Sequence, residues 1–259
     1  TQSLMGTFTD FTMESAAVQQ EHIKTAGVLG ELGVSYDSYA KSVQTATKAL
    51  GVSSDQADDM MRNLTAHAMD LGVPVGQLTD QFATMAPQLA KLGQNGVKAF
   101  KDMAHIFKIT GFEMGKILAL TEKFDTFEGA ATMVGKLNAA LGGNFVNAMD
   151  LMMEENPAER FMMIRDSLLS AGLAFDDMSY YQRKFYTESL GLGSVAELAQ
   201  VMSGDMEALD ANLNKTSAQY KDMAEAAKSA QSVQESLNQL LVAVTPILVP
   251  MIDKAREWI

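Results

Sequence analysis

From about residue 30 to residue 203, apolar positions recur at helical spacing in blocks of 9 to 18 residues joined by two- to five-residue connections, after a weaker helical pattern from Met13. A single punctuation mark separates many of the blocks. Leu32-Gly33-Val34-Ser35, Leu50-Gly51-Val52-Ser53, Leu71-Gly72-Val73-Pro74 and Leu190-Gly191-Leu192-Gly193 share it, and Thr110-Gly111-Phe112 is a variant. Each reads as a helix stopped by a left-handed glycine, with the next apolar residue folding back on the last turn. The pattern predicts helices over 13–31, 36–50, 54–71, 76–92, 96–109, 113–124, 127–141, 145–154, 157–171, 179–190 and 194–202. Capping boxes are expected at Ser53 with Gln56, Ser179 with Gln182 and Ser194 with Glu197. A capping Asn156 before Pro157 is a further start signal, and Asp125 with Glu128 is expected to begin the helix at 127. Nothing alternates with period two for long enough to make a strand. The chain is therefore expected to be all-α: a compact set of short helical hairpins over 34–204, entered through a helical segment 1–33 whose first ten residues are a flexible lead.

The last part, 205–259, has a different grammar. Leu209, Leu213, Thr216, Tyr220, Met223, Ala227, Ala230, Gln234, Leu237, Leu241, Val244, Leu248, Met251, Ala255 and Trp258 follow one another in alternating steps of four and three, and thirteen of these fifteen are apolar. One isolated helix cannot bury a seam that repeats every 3.5 residues, so a long coiled-coil-like helix with partner helices is expected. Packing of the same helix along its own domain is the alternative. The interface positions are then Leu209, Leu213, Tyr220, Met223, Leu237, Leu241, Val244, Leu248, Met251 and Trp258. Pro246 and Pro250 impose a bend or break near 245–250. The mixture of Leu, Ala, Val and Met along the seam fixes no copy number.

Composition narrows the function classes. A net charge of −12 argues against a nucleic-acid interface and against docking on anionic lipid, both of which need clustered Lys and Arg. With no cysteine, disulfides, thiol nucleophiles and cysteine zinc sites are excluded. The 19 methionines suit helices whose partners change or slide, and simple core filling explains them equally well. Residues 1–30 hold no basic start followed by an apolar run, so no secretory signal is read there. A start at Thr1 and an apolar finish at Trp258-Ile259 in mid-pattern read as an excerpt of something longer. The uncharged run Ser236–Ile252 has an apolar core of about 13 residues interrupted by two prolines, short of the roughly 20 that a stable span needs.

Candidate chemistry is sparse. Gly111 to Gly115-Lys116 and Gly129 to Gly135-Lys136 miss the phosphate-loop spacing, follow no strand, and are followed by Ile117 and Leu137 instead of Ser or Thr. His22, His67 and His105 are far apart in sequence. His67 and Asp70 share a helix face and read as a solvated pair. Glu154 and Glu155 are adjacent on a helix and point about 100° apart, so they cannot flank one bond. Met152-Met153 and Met162-Met163 read as core in preference to a thioether metal site. No catalytic residue, cofactor site or metal site is assigned. Between Phe175 and Tyr186 the aromatics crowd: Tyr181 and Phe185 share a face, Tyr186 lies beside it, and Phe175 can staple the group. This cluster is either a domain core, the preferred reading, or a partner-docking patch.

Several motifs occur in order: Leu137-Asn138-Ala139-Ala140-Leu141-Gly142-Gly143-Asn144-Phe145; Asn156-Pro157-Ala158-Glu159-Arg160-Phe161; Ala171-Gly172-Leu173-Ala174-Phe175-Asp176-Asp177-Met178-Ser179; Leu190-Gly191-Leu192; and Leu198-Ala199-Gln200-Val201-Met202-Ser203-Gly204. Together they resemble the tape measure proteins of long-tailed bacteriophages, and Leu240–Leu248 resembles a later stretch of the same family. The resemblance implies a virion protein in the tail lumen and tip. It implies several copies, three being the expected number, which contact the tail tube and the baseplate or tip hub proteins. It also implies a part in tail length and assembly and in genome ejection, with DNA passing nearby unbound and membrane contact only on ejection. A measuring segment should be a very long helix, and only 206–244 looks like one, so this chain reads as the portion past the ruler. The competing reading is a helical membrane-active secreted effector or pore-forming domain that uses Ser236–Ile252. An all-helical hydrolase is a third, held back by the lack of convergent acid, base and nucleophile.

Overall fold

The computed structural model describes residues 2–204, with side chains from Met5 onward. The described residues are all-α, with no strand among them: α1 Gln2–Thr7, α2 Ala16–Glu31, α3 Tyr36–Ala49, α4 Ser54–Leu71, α5 Val75–Leu89, α6 Gly96–Thr110, α7 Met114–Thr121, α8 Phe127–Leu141, α9 Ala148–Met153, α10 Pro157–Ser170, α11 Tyr180–Leu190 and α12 Val195–Met202. Short 3₁₀ turns stand at Phe11–Met13, Ala90–Asn95, Glu122–Phe124 and Phe175–Asp177. The interface positions Leu209 to Trp258 and the bend near 245–250 lie outside the described residues.

The turns obey local chemistry. Gly33, Gly51, Gly72, Gly111 and Gly191 all take positive φ, the conformation that L side chains resist and that ends a helix cleanly. After four of them the apolar residue donates its amide back into the last turn: Val34 to Leu29 O, Val52 to Ala46 O, Val73 to Ala68 O and Leu192 to Thr187 O. Full capping boxes close at Ser53–Gln56 and Ser179–Gln182. Ser194 caps α12, but the Glu197 carboxylate takes the amide of Gly193 in place of that of Ser194.

Four local expectations are corrected. Thr1–Asp10 is not merely a flexible lead: Gln2–Thr7 is helical and packs on α3, while Phe8 and Phe11 are buried. The cap of α8 is Thr126, and Asp125 is instead drawn into ion pairs with Arg160 and Lys91. The helix expected from 145 begins at Ala148, because the Asn138 side chain holds 145–146 extended, accepting from the amides of Phe145 and Val146 and donating to the Val146 carbonyl. The helix expected over 76–92 stops at Leu89, two residues past Pro87, which has no amide to donate to the preceding turn.

α1 to α5 form one group, with α3 laid against α1, α4 and α5 and α2 against α4; α7 to α12 form the other, joined through α8–α11, α8–α9, α7–α10 and α11–α12. α6 lies between the groups and touches α4, α5, α7, α10 and α12. Every residue from Ala99 to Ile106 is buried, so α6 has no solvent face along this stretch and serves as the axis of the pile. One close approach fixes the first group. A Cβ at Gly76 would stand 2.1 Å from the Gly33 carbonyl oxygen, so only glycine lets α5 meet the turn between α2 and α3. A single buried apolar cluster runs from Phe8 to Met202 through both groups.

Candidate functional site

The aromatic segment before and within α11 divides in two. Tyr186 is 6% exposed and its hydroxyl donates to the Ala140 carbonyl at 3.1 Å, tying α11 to the end of α8. Phe175 is half-buried beneath the Arg183 guanidinium, 4.3 Å from ring centroid to Cζ, and Arg183 Nε also donates to the Phe175 carbonyl. These two are structural, in line with the core reading. Tyr181 (80% exposed) and Phe185 (51%) face outward, joined by Tyr180 (66%), whose ring meets that of Tyr181 edge-on at 5.5 Å. The outward trio is the largest run of exposed aromatics along one described helix, and Tyr180 was not among the residues singled out from sequence. Aromatic rings displayed with wet polar tips suit protein contacts.

A second constellation, not foreseen from the sequence, is built where α2, α3 and α4 meet. Asp58 accepts from Tyr39 Oη at 2.5 Å and Thr25 Oγ1 at 3.0 Å, and from Arg62 through Nε and Nη2. His22 Nδ1 stands 2.6 Å from Tyr39 Oη, and His22 Nε2 stands 2.7 Å from Ser54 Oγ. The tyrosine proton is committed to the carboxylate, so Nδ1 carries a proton and donates to Oη, leaving Nε2 to accept the Ser54 hydroxyl. Burial lowers the His22 pKa, keeping the ring neutral, and burial with Asp58 beside it pushes the Tyr39 phenol up. Burial opposes the charge on Arg62, and the Asp58 carboxylate outweighs it, so Arg62 is held above its usual value. Serine, imidazole and carboxylate thus converge in the order of a hydrolytic relay. However, Tyr39 stands between imidazole and acid, and Arg62 neutralises the acid. The arrangement is a clasp joining three helices.

His67 and His105 are buried as well. His67, read from sequence as a solvated partner of Asp70, is 3% exposed, with Nε2 3.1 Å from the Lys101 carbonyl of α6. Burial lowers its pKa to about 4 and that of buried Lys101 to about 8. Met162 is buried and Met152 and Met163 pack partly against the core, whereas Met153 is exposed. Lys116, in the first near-miss phosphate loop, is engaged by Glu113 and Glu197, and the Gly129–Gly135 pair lies within α8.

The surface of the described residues carries clefts, two of them lined by carboxylates. One, of about 640 Å³, runs between the Gly33 turn, α5 and the start of α7, with Asp80 and Glu113 on its walls. The other, of about 430 Å³, lies between Leu92, Lys98 and Met153, rimmed by Glu154, Glu155 and Glu159. Carboxylates on both favour cationic visitors over anionic ones, and neither reaches Ser54. Among the described residues no group of three or more His, Asp or Glu is arranged to hold a metal ion, and no helix is long and apolar enough to cross a membrane. No protein-family profile, curated protein sequence or solved structure matches the chain.

Proposed function

We propose that this chain is a helical segment of a bacteriophage tail tape measure protein, a structural virion protein that sits in the tail lumen and tip. The ordered run of motifs from Leu137 to Gly204 carries the reading, and it spans α8 to α12. The net charge of −12 is in keeping with a particle past which DNA must slide without sticking. On this reading copies associate, three together, through the seam Leu209–Trp258 as a long coiled coil. The exposed face of Tyr180, Tyr181 and Phe185 then meets a tube or tip hub protein. The role is assembly and genome ejection, with no catalytic step, and length setting belongs to a longer helix than these residues supply.

Light scattering on the full chain tests it. The expected mass is that of three copies, falling to one when Leu237→Asp, Leu241→Asp and Leu248→Asp are combined. A single-copy mass for the parent chain, or an unchanged oligomer in the triple variant, rejects the proposal. Dye-loaded liposomes are expected to stay sealed in its presence, and strong leakage would transfer the assignment to the pore-forming reading.

A further inference from the structure

The two helix groups hold together through α6. It rests on α4 and α5 of the first group and on α7, α10 and α12 of the second, and the principal pairings between the groups all run through it. Beyond it, the Gly33 turn and α5 are parted from the start of α7 by the cleft of about 640 Å³. Polar bonds fasten α6 to the second group: Asn156 Nδ2 donates to Asp102 Oδ2 at 2.8 Å, Gln200 Nε2 to Gly111 O at 3.0 Å and Ser203 Oγ to Thr110 O at 3.4 Å. Towards the first group, His67 Nε2 of α4 meets the Lys101 carbonyl at 3.1 Å, and Lys108 Nζ donates to the Gly72 carbonyl just past α4 at 3.4 Å.

Lys101, His105 and Lys108 follow one another in steps of four and three, so they share the stripe of α6 that meets α4. His67 is 3% exposed, Lys101 7% and His105 8%. An amine and two imidazoles are thus shut together in one joint between helices. A carbonyl can only accept, so His67 Nε2 carries the ring proton and a second proton must land on Nδ1, a buried atom. Burial does most to resist that proton, holding the pKa at about 4. The charges of Lys101 and His105 from α6 resist it too, while the Lys101 carbonyl and the exposed Asp70 of α4 favour it. Burial lowers Lys101 to about 8 against the pull of Asp102, so the amine is mostly charged at pH 7 and below.

We propose that the α4–α6 joint is an acid-opened hinge: a second proton on His67, placed beside Lys101 and His105, parts α4 from α6, and α1–α5 swing away while α6 stays with α7–α12. The closed joint prefers the neutral ring, so closure is intact above the ordinary value of 6.5 and weakens as pH falls towards 4. The bonds that fasten α6 to the second group involve no imidazole and do not answer to this change. The hinge holds whether or not the tape measure reading does.

The chain has no cysteine, so one introduced thiol reports on one place. Ala104→Cys lies in the stripe with Lys101 and Lys108, and Leu71→Cys lies one turn from His67 on α4; both positions are buried. Labelling by dithiodipyridine, which reacts with thiols in acid, is measured in the full chain and divided by the rate in concentrated urea at the same pH. Between pH 7 and pH 5 this ratio is expected to rise about 20-fold at both positions, the factor set by a pKa of about 4 when closed and 6.5 when open. Ala40→Cys within α3 and Leu137→Cys within α8, both buried, should stay within about two-fold. Adding His67→Gln or His67→Leu, neither of which titrates, should hold the Ala104→Cys ratio at its pH 7 value. Flat labelling at both 104 and 71, or a rise that survives both replacements of His67, overturns the hinge. So does a matching rise in Ala40→Cys or Leu137→Cys, which would mean that the groups themselves come apart.

Discussion

Two arginines five residues apart on α10 occupy opposite situations. Arg160, 6% exposed, has every guanidinium nitrogen engaged: Nε and Nη2 on the Glu154 carbonyl, Nη1 on the Thr121 carbonyl and on Asp125. Its partners lie at the end of α7, on the α7–α8 connection and just past α9, so one side chain gathers three segments at the start of α10. Arg165, more deeply buried, has a single bond to the final described residue. The contrast teaches that burial of a cation on α10 is not a defect the fold tolerates at random. Arg160 is matched donor by donor to carbonyls and a carboxylate, whereas Arg165 donates to the Gly204 carbonyl. The clasp around Asp58 repeats the complete case in the first helix group, with every oxygen of the carboxylate satisfied by side chains from α2, α3 and α4.

The contrast is broken most directly at Arg160. Arg160→Met strips the Glu154 and Thr121 carbonyls of their donor, and unfolding in urea should show a loss of about 3–5 kcal/mol. Next comes the pH response. His67 prefers the neutral form in the fold, with a pKa lowered to about 4 from the ordinary 6.5. Its contribution is intact above 6.5 and is lost as pH falls towards 4, amounting to about 3 kcal/mol across that window. His67→Gln should flatten the slope of stability against pH between those limits, and a slope equal to the parent's would show that the ring is not what titrates. The hydroxyl of Tyr186 is worth less: Tyr186→Phe is expected to cost about 1 kcal/mol by leaving the Ala140 carbonyl without its bond. Smallest of all is the outward face. Tyr181→Ser should shift stability by less than about 0.5 kcal/mol, since an exposed ring is not paired with the core. A larger loss in calorimetry would mean that the ring is covered in solution.

What was legible in sequence has a common physical character: it is decided within one turn of helix. The glycine stops at 33, 51, 72, 111 and 191 and the boxes at Ser53 and Ser179 depend on residues at most six apart, and each formed where its motif stood. The all-α class follows from the same periodicity. The misses begin as soon as a partner from another element competes for the same group. Asp125 would serve as a cap by local rules, yet Arg160, 35 residues away, takes its carboxylate. Phe175 to Tyr186 read as one aromatic cluster, and only packing against α8 separates buried Tyr186 from exposed Tyr181 and Phe185.

By itself, then, the sequence determined where helices stop, how they are capped and that no strand interrupts them among the described residues. Tertiary structure alone decided that α6 is sheathed on all sides, that Gly76 must admit the Gly33 carbonyl, that His22, Tyr39, Ser54 and Asp58 share one clasp, and that Arg165 is buried and donates to the Gly204 carbonyl. The hydrogen bonds of the clasp alone join residues 17 to 32 positions apart. Neither helical period nor capping grammar reaches that far, because the free energy that selects them comes from desolvation and pairing after the helices have met.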